Sequence, residues 1–256
     1  KLLPQNKNLG FGQANNLGMS QALNQGAEHV FLLNQDAYLI DDCLDLLVSK
    51  QKENPEYGIL SPIHTNGHQD KLDENFSNYL AYKNNSSFYS DFVLGNKLKQ
   101  IYDTPFVNAA AWLLSKKTLM SIGGFDPLFF HYGEDVNYCQ RVSYHQFKIG
   151  VIPTTFVIHD REHRIKPQVS KFTQEYFKNK ARTYSLKFAD VSLDTPERRI
   201  DSTLRTLSKA KIKALFRLKF TMYNGYLSEQ KMLLNLKPLI LSSYSKNKTT
   251  GKHYIH

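Results

Sequence analysis

Apolar positions along the chain fall into short continuous runs and longer spaced sets, and the two alternate. Residues 30–33 (VFLL) and 57–62 (YGILSP) are unbroken apolar runs of strand length, the pattern of strands buried on both faces. Residues 106–115 carry the same β character, and 149–153 and 155–159 predict two further short strands. Between them the spacing becomes helical. Ala14, Leu17 and Ala22 predict about three helical turns fed by a Gly10-Phe11-Gly12 loop. Leu44, Leu47 and Val48 predict an amphipathic helix over 41–54, with Asp41 and Asp42 at its start and Lys50 and Lys52 near its end. Residues 116–122 form a short helix closed by Gly123-Gly124. Val136, Cys139 and Val142 then recur at helical spacing, which puts Glu134 and Asp135 in a helix's first turn.

Residues 64–99 are polar, rich in Asn and Ser and without a period. They read as an elaborated loop region suited to contacting an acceptor. Beyond residue 170 the chain is mostly helical. Residues 198–222 read as one helix with Leu204, Leu207, Ala214, Leu215 and Leu218 on one face and Ile212, Phe216 and Phe220 on another, and 242–256 as a loose polar end.

Charge divides the chain where the pattern does. Residues 1–160 hold 12 Lys/Arg against 16 Asp/Glu, a net of −4, whereas 161–256 hold 21 against 7, a net of +14. An acidic body followed by a basic extension suggests a catalytic part and a surface-seeking part. Two cysteines, Cys43 and Cys139, are too few for a disulfide framework and lack zinc-ligand spacing, so a reducing cytosol is expected. No leader pattern and no apolar run of membrane-spanning length is visible. Lys1 marks a processed, trimmed or partial chain.

Candidate chemistry gathers at strand and helix ends. Asn34 and Asp36 follow the 30–33 strand, and oxygen-bearing side chains two apart there suit a hard cation such as Mg²⁺ or Mn²⁺ shared with phosphate. Glu134 and Asp135 follow a loop with Phe125, Phe129, Phe130, His131 and Tyr132, which could wall and dry a pocket around a basic carboxylate. His159 closes a strand and becomes a metal-ligand candidate beside Asp36. The plain alternatives are a turn at 34–36, an ordinary acidic first turn at 134–135 and a structural histidine.

Taken in order, these pieces resemble bacterial family 2 glycosyltransferases of the GT-A fold, in the branch of rhamnosyl- and galactofuranosyltransferases. The matching residues are Asn8-Leu9-Gly10-Phe11-Gly12 with Ala14, Asn15, Asn16 and Gly18; Leu32-Leu33-Asn34-Gln35-Asp36; Gly123-Gly124-Phe125-Asp126 with Phe129-Phe130; Glu134-Asp135 with Cys139 and Arg141; and His159. The resemblance runs to about residue 160, more weakly to 190. It implies an α/β, GT-A (Rossmann-like) mixed sheet flanked by helices over 1–190, N-terminally incomplete, then a basic helical extension over 191–256. It implies transfer of a sugar from a nucleotide-sugar, dTDP-rhamnose or a UDP-hexose, to an acceptor hydroxyl on a growing surface glycan, with inversion. Asp135 matches the general base and Glu134 its neighbour. Gly10, Phe11, Gly12, Asn16, Asn34 and Asp36 fall on the donor side, and Asp36, Asn34 and His159 are the implied metal ligands for Mg²⁺ or Mn²⁺. Trp112, Phe130, Tyr132 and Arg141 are expected to contact acceptor. Asn34 stands where the family has the first Asp of its metal motif, and the family's opening strand-helix-strand does not precede Asn8.

A lipid-linked glycan acceptor and a peripheral contact with the inner face of the plasma membrane through the basic tail follow from the resemblance and the charge. Nucleic acid is not expected, since the tail holds no recognised motif. Two alternatives stay open: a truncated, non-catalytic GT-A remnant that binds glycan or membrane, and a basic lipid- or nucleic-acid-binding module riding on an unrelated α/β domain.

Overall fold

A computed structural model describes residues 2–161 and 168–256. Its elements are α1 (Gly10–Asn24), β1 (His29–Leu33), β2 (Ala37–Leu39), α2 (Cys43–Glu53), β3 (Tyr57–Thr65), α3 (Glu74–Leu80), α4 (Ser86–Leu94), β4 (Tyr102–Asp103), β5 (Ala111–Ser115), α5 (Lys116–Ile122), α6 (Glu134–Tyr144), β6 (Lys148–His159), α7 (Gln174–Phe188), α8 (Pro196–Phe216) and α9 (Phe220–Asn247). The six strands form one mixed sheet in the order β1-β5-β3-β6-β2, with β4 also pairing β6. Among the described residues β3 and β6 pair in parallel and the other pairings are antiparallel. The expected class, a mixed α/β sheet flanked by helices with a helical C-terminal part, is therefore present.

The central strand β3 is buried at every position, as an unbroken apolar run requires. The edge strand β1 is not: its first three residues are half-buried and Leu33 is exposed. The two strands expected over 149–159 are a single one, continuous through Pro153. Proline is tolerated there because the β3–β6 register slips between Pro62 and Ile63, beside it. The polar stretch 64–99 is more ordered than its composition implies. Asp73 and Asn85 accept the amides of Phe76 and Phe88 and so start α3 and α4, which bury Phe76, Leu80 and Phe88 on the sheet.

The C-terminal helices have their own core, built from Tyr184, Phe188, Ile200, Leu207, Leu233 and Ile240. Buried Glu229 braces it by accepting the hydroxyls of Tyr176 (2.9 Å) and Tyr184 (2.6 Å). The single helix expected over 198–222 is a hairpin instead: α8 stops at Phe216 and α9 returns. Nor is the end loose. Ser243, Asn247 and Tyr254 all donate to Asp126 Oδ2, the Gly124 amide donates to the His253 carbonyl, and Ile255 is buried in the main core. Asp126 lies in the loop that leads to α6, so the tail braces the acid-bearing helix from behind.

Candidate active site

An open cleft of about 480 Å³ lies at the sheet edge near the ends of β1 and β6. It is lined by Phe11 and Asn15 of α1, residues 33–36 at the end of β1 and beyond it, Asn108–Ala110 before β5, His131 and Tyr132 in the loop before α6, Glu134 and Asp135 at the start of α6, and His159 and Arg161 at the end of β6. A second cleft of similar size behind α6 is walled mainly by Phe106, Val136, Cys139 and Tyr144, and the reactive groups do not converge on it.

Strand pairing assembles one wall. β2 and β6 pair with Ala37 opposite His159, and the Asp160 amide donates to the Asp36 carbonyl at 2.9 Å. This brings Asp36 Oδ1 within 3.6 Å of His159 Nε2. The other ring nitrogen, Nδ1, lies 3.6 Å from Asp73 Oδ2. Asp73 also receives Nε and Nη2 of Arg161, at 2.6 and 2.5 Å, a two-point clamp. Burial alone would raise the Asp73 carboxyl; the Arg161 hydrogen bonds and the Phe76 amide outweigh it and hold the group below its ordinary value. His64 packs behind, stacked on Phe76 and edge-on to His159, and burial followed by the His159 charge keeps it well below the usual imidazole range.

Loop geometry assembles the other wall. Tyr132 and Gly133 both take left-handed backbone, with φ of 64° and 96°, and turn the chain abruptly into α6. The next two residues are the acids. Glu134 is 6% exposed and its Oε2 has no hydrogen-bond partner. Burial pushes its carboxyl up to about 7, helped by the Asp135 charge and opposed by its own amide and by Arg182. Asp135 is also raised, again by burial, although the amides of Val136, Asp135 itself and Ala109 pull the other way. Asn108 Oδ1 is buried nearby without a partner.

The predicted site residues separate into two groups. Phe11, Asn34, Asp36, Tyr132, Glu134, Asp135 and His159 line the one cleft. The others lie elsewhere, each for a physical reason. Asn16 is 4% exposed and spends its amide on the Phe125 backbone, accepting from N at 2.7 Å and donating to O at 2.8 Å. Gly10 and Gly12 begin α1 rather than forming a loop. A Cβ at Gly10 would strike the Phe130 carbonyl, and one at Gly12 would lie 2.9 Å from Phe125 Cβ. Their smallness admits the acid-bearing loop, not a phosphate. Trp112 is wholly buried, stacked with Phe125. Arg141, 1% exposed, donates to the carbonyls of Gly124 and Ile122 between the rings of Tyr138 and Tyr254. Neither can meet an acceptor. Phe130 is 61% exposed and is not part of the cleft wall.

Sequence reasoning passed over Asp73, Arg161, His64 and Asn108. The available signals were an Asp-Glu pair opening a helix at 73–74, a cation two residues past His159, and an Asn interrupting an apolar run.

Among the described residues no group of three or more His, Cys, Asp or Glu side chains is gathered for a metal. The Asp36 oxygen and His159 nitrogen, 3.6 Å apart on the cleft wall, nonetheless fit one divalent cation whose other ligands are phosphate and water. Asp73, 3.6 Å from the far ring nitrogen, stands where a partner would orient such a histidine.

No protein-family model and no curated protein matches the chain. In a comparison of folds the structure is similar to that of GalNAc-T7 solved with UDP, GalNAc and Mn²⁺, with a TM-score of 0.49, 12% identity, and coverage of 77% of this chain and 41% of that one. The chain thus spans about two fifths of that neighbour's length.

Proposed function

We propose that the cleft transfers a sugar from a nucleotide-sugar to an acceptor hydroxyl, with inversion, as family 2 glycosyltransferases do. The observation that carries this reading is the meeting, in one cleft, of a carboxylate pair, buried Glu134 and half-buried Asp135, with the Asp36–His159 pair. Asp135 takes the proton of the acceptor hydroxyl. The acceptor oxygen then bonds to the anomeric carbon as the bond from that carbon to the donor diphosphate breaks. Burial supports this role, because a carboxylate stripped of water is more basic than one in solution. Glu134 shares the site, and its ionisation near 7 sets the charge beside the base. Asp36 and His159 would hold Mg²⁺ or Mn²⁺, with Asn34 beside them. A cation bound there supplies Lewis-acid neutralisation of the leaving diphosphate. Asp73 keeps His159 and Arg161 oriented, so that a fixed guanidinium also lines the donor side. His131 and Tyr132 form the acceptor-side wall.

The sequence resemblance favours dTDP-rhamnose or a UDP-hexose as donor and a surface glycan as acceptor. The test is a panel of nucleotide-sugars offered to the intact protein with Mg²⁺ or Mn²⁺, read as nucleoside diphosphate release and as donor binding. Release with at least one donor, suppressed by chelation, is expected. Neither release nor binding across the panel would favour the non-catalytic remnant.

A further inference from the structure

The α8–α9 hairpin ends in a tip that departs from an ordinary solvated turn in three respects. Its large side chains are apolar and face water: Phe216 is 84% exposed, Leu218 74% and Phe220 59%, with Ile212 and Leu215 about half exposed. Its turn residue is the wrong one for the backbone. The Leu218 amide donates to Leu215 and the Lys219 amide to Ala214, a helix-ending arrangement whose left-handed position usually falls to glycine. Leu218 occupies it with φ 54°, so the chain holds a leucine there against backbone strain and with little burial to offset it. Finally, its rim carries one sign of charge. No Asp or Glu occurs between Asp201 and Glu229, while that stretch holds Arg205, Lys209, Lys211, Lys213, Arg217 and Lys219. Glu229 itself is buried and bound to two tyrosine hydroxyls.

We propose that this tip inserts shallowly into an anionic lipid surface, with Phe216, Leu218 and Phe220 at the acyl boundary and Lys213, Arg217 and Lys219 among the headgroups. An apolar apex inside a cationic collar matches that interface in both polarity and charge. Nucleic acid would use the cations but leave the apolar apex unexplained. A second copy would set like charge against like charge. Among the described residues no helix is long and apolar enough to cross a membrane, so the contact is superficial. From the tip, α9 runs 28 residues, roughly 40 Å of helix, to the Asn247–Asp126 bond behind the acid-bearing loop. The proposal requires nothing of the transfer chemistry.

Co-sedimentation of the intact protein with phosphatidylcholine vesicles, with and without phosphatidylglycerol, tests it at physiological salt. Binding to the anionic vesicles alone is expected, weakened at least ~10-fold in the Phe216→Ser/Leu218→Ser variant and also in Lys213→Glu/Arg217→Glu. Leu218→Gly separates docking from folding: it should raise the Tm by relieving strain while weakening vesicle binding. The proposal is overturned if the protein ignores anionic vesicles, if the serine variant binds them as the parent does, or if duplex DNA binds as tightly as the vesicles. A dimer that the serine variant dissociates would overturn it as well, since the apex would then be a self-contact.

Discussion

The two walls of the cleft use the same functional group in opposite ways. Asp73, behind His159 and Arg161 on the β6 side, and Glu134 on the α6 side are carboxylates of nearly equal burial, 3% and 6% exposed. Asp73 is gripped by a guanidinium and a helix amide and is held ionised. Among the described residues Glu134 forms no salt bridge and has one oxygen without a partner, and burial outweighs the Arg182 charge to move its ionisation up to about 7. Burial by itself therefore does not decide a carboxylate's charge here; the partner does. In the proposed function, one wall would serve as a fixed electrostatic frame for phosphate and metal, and the other as an acid–base pair.

Removing the poised side should have the largest effect. Asp135→Asn should lower transfer by about 10²–10⁴-fold, the usual worth of a general base, while donor binding measured by calorimetry changes little. If Glu134→Gln were the inactive variant and Asp135→Asn the active one, the two roles would be exchanged. Disturbing the frame comes next. Asp73→Asn loosens both His159 and Arg161 and should weaken Mn²⁺-dependent donor binding by roughly 10–100-fold, as orienting partners of metal ligands do. Unchanged Mn²⁺ titration in that variant would leave Asp73 as a helix cap only.

The pH dependence sharpens the contrast. Glu134 has its folded-state value raised above the ordinary 4.5, so the folded protein keeps that proton longer than the unfolded chain does. Stability from this group is present below about 4.5 and declines as pH rises toward 7, by up to about 3 kcal/mol. Glu134→Gln should flatten that decline and raise the Tm at pH 8, at the expense of activity; denaturant melts across pH 5–8 would show it. Asp73 contributes in the opposite sense, through stability lost only in acid as pH falls through its depressed value. The smallest functional effect is expected from Arg141→Lys. It should lower the Tm by breaking the guanidinium's bonds to two carbonyls, yet leave the KM for acceptor unchanged, because Arg141 does not reach the cleft.

Much of this was legible in the sequence. The apolar runs located β1, β3 and β5, the helical spacing located α6, and Asp36, the acid pair and His159 do share one cleft. What stayed hidden was pairing across distance. Asp73 and Arg161 are 88 residues apart and meet because the Asp73 amide is tied to the His64 carbonyl at the end of β3, which pairs with the end of β6, a juxtaposition no local period announces. Motif position also cannot say whether a polar side chain faces substrate or backbone. Asn16 and Arg141 sit among recognisable motif residues, yet both serve the backbone of residues 122–125. The bend at 217–219 was masked because the chain puts leucine where a glycine would have signalled it.

The most direct test of the central claim is single-turnover release of nucleoside diphosphate from a bound nucleotide-sugar in the presence of acceptor, for the parent and for Asp135→Asn. Release by the parent and its near-complete loss in the variant, with donor still bound, is the result predicted by a base at Asp135. Equal release by the two proteins would contradict it.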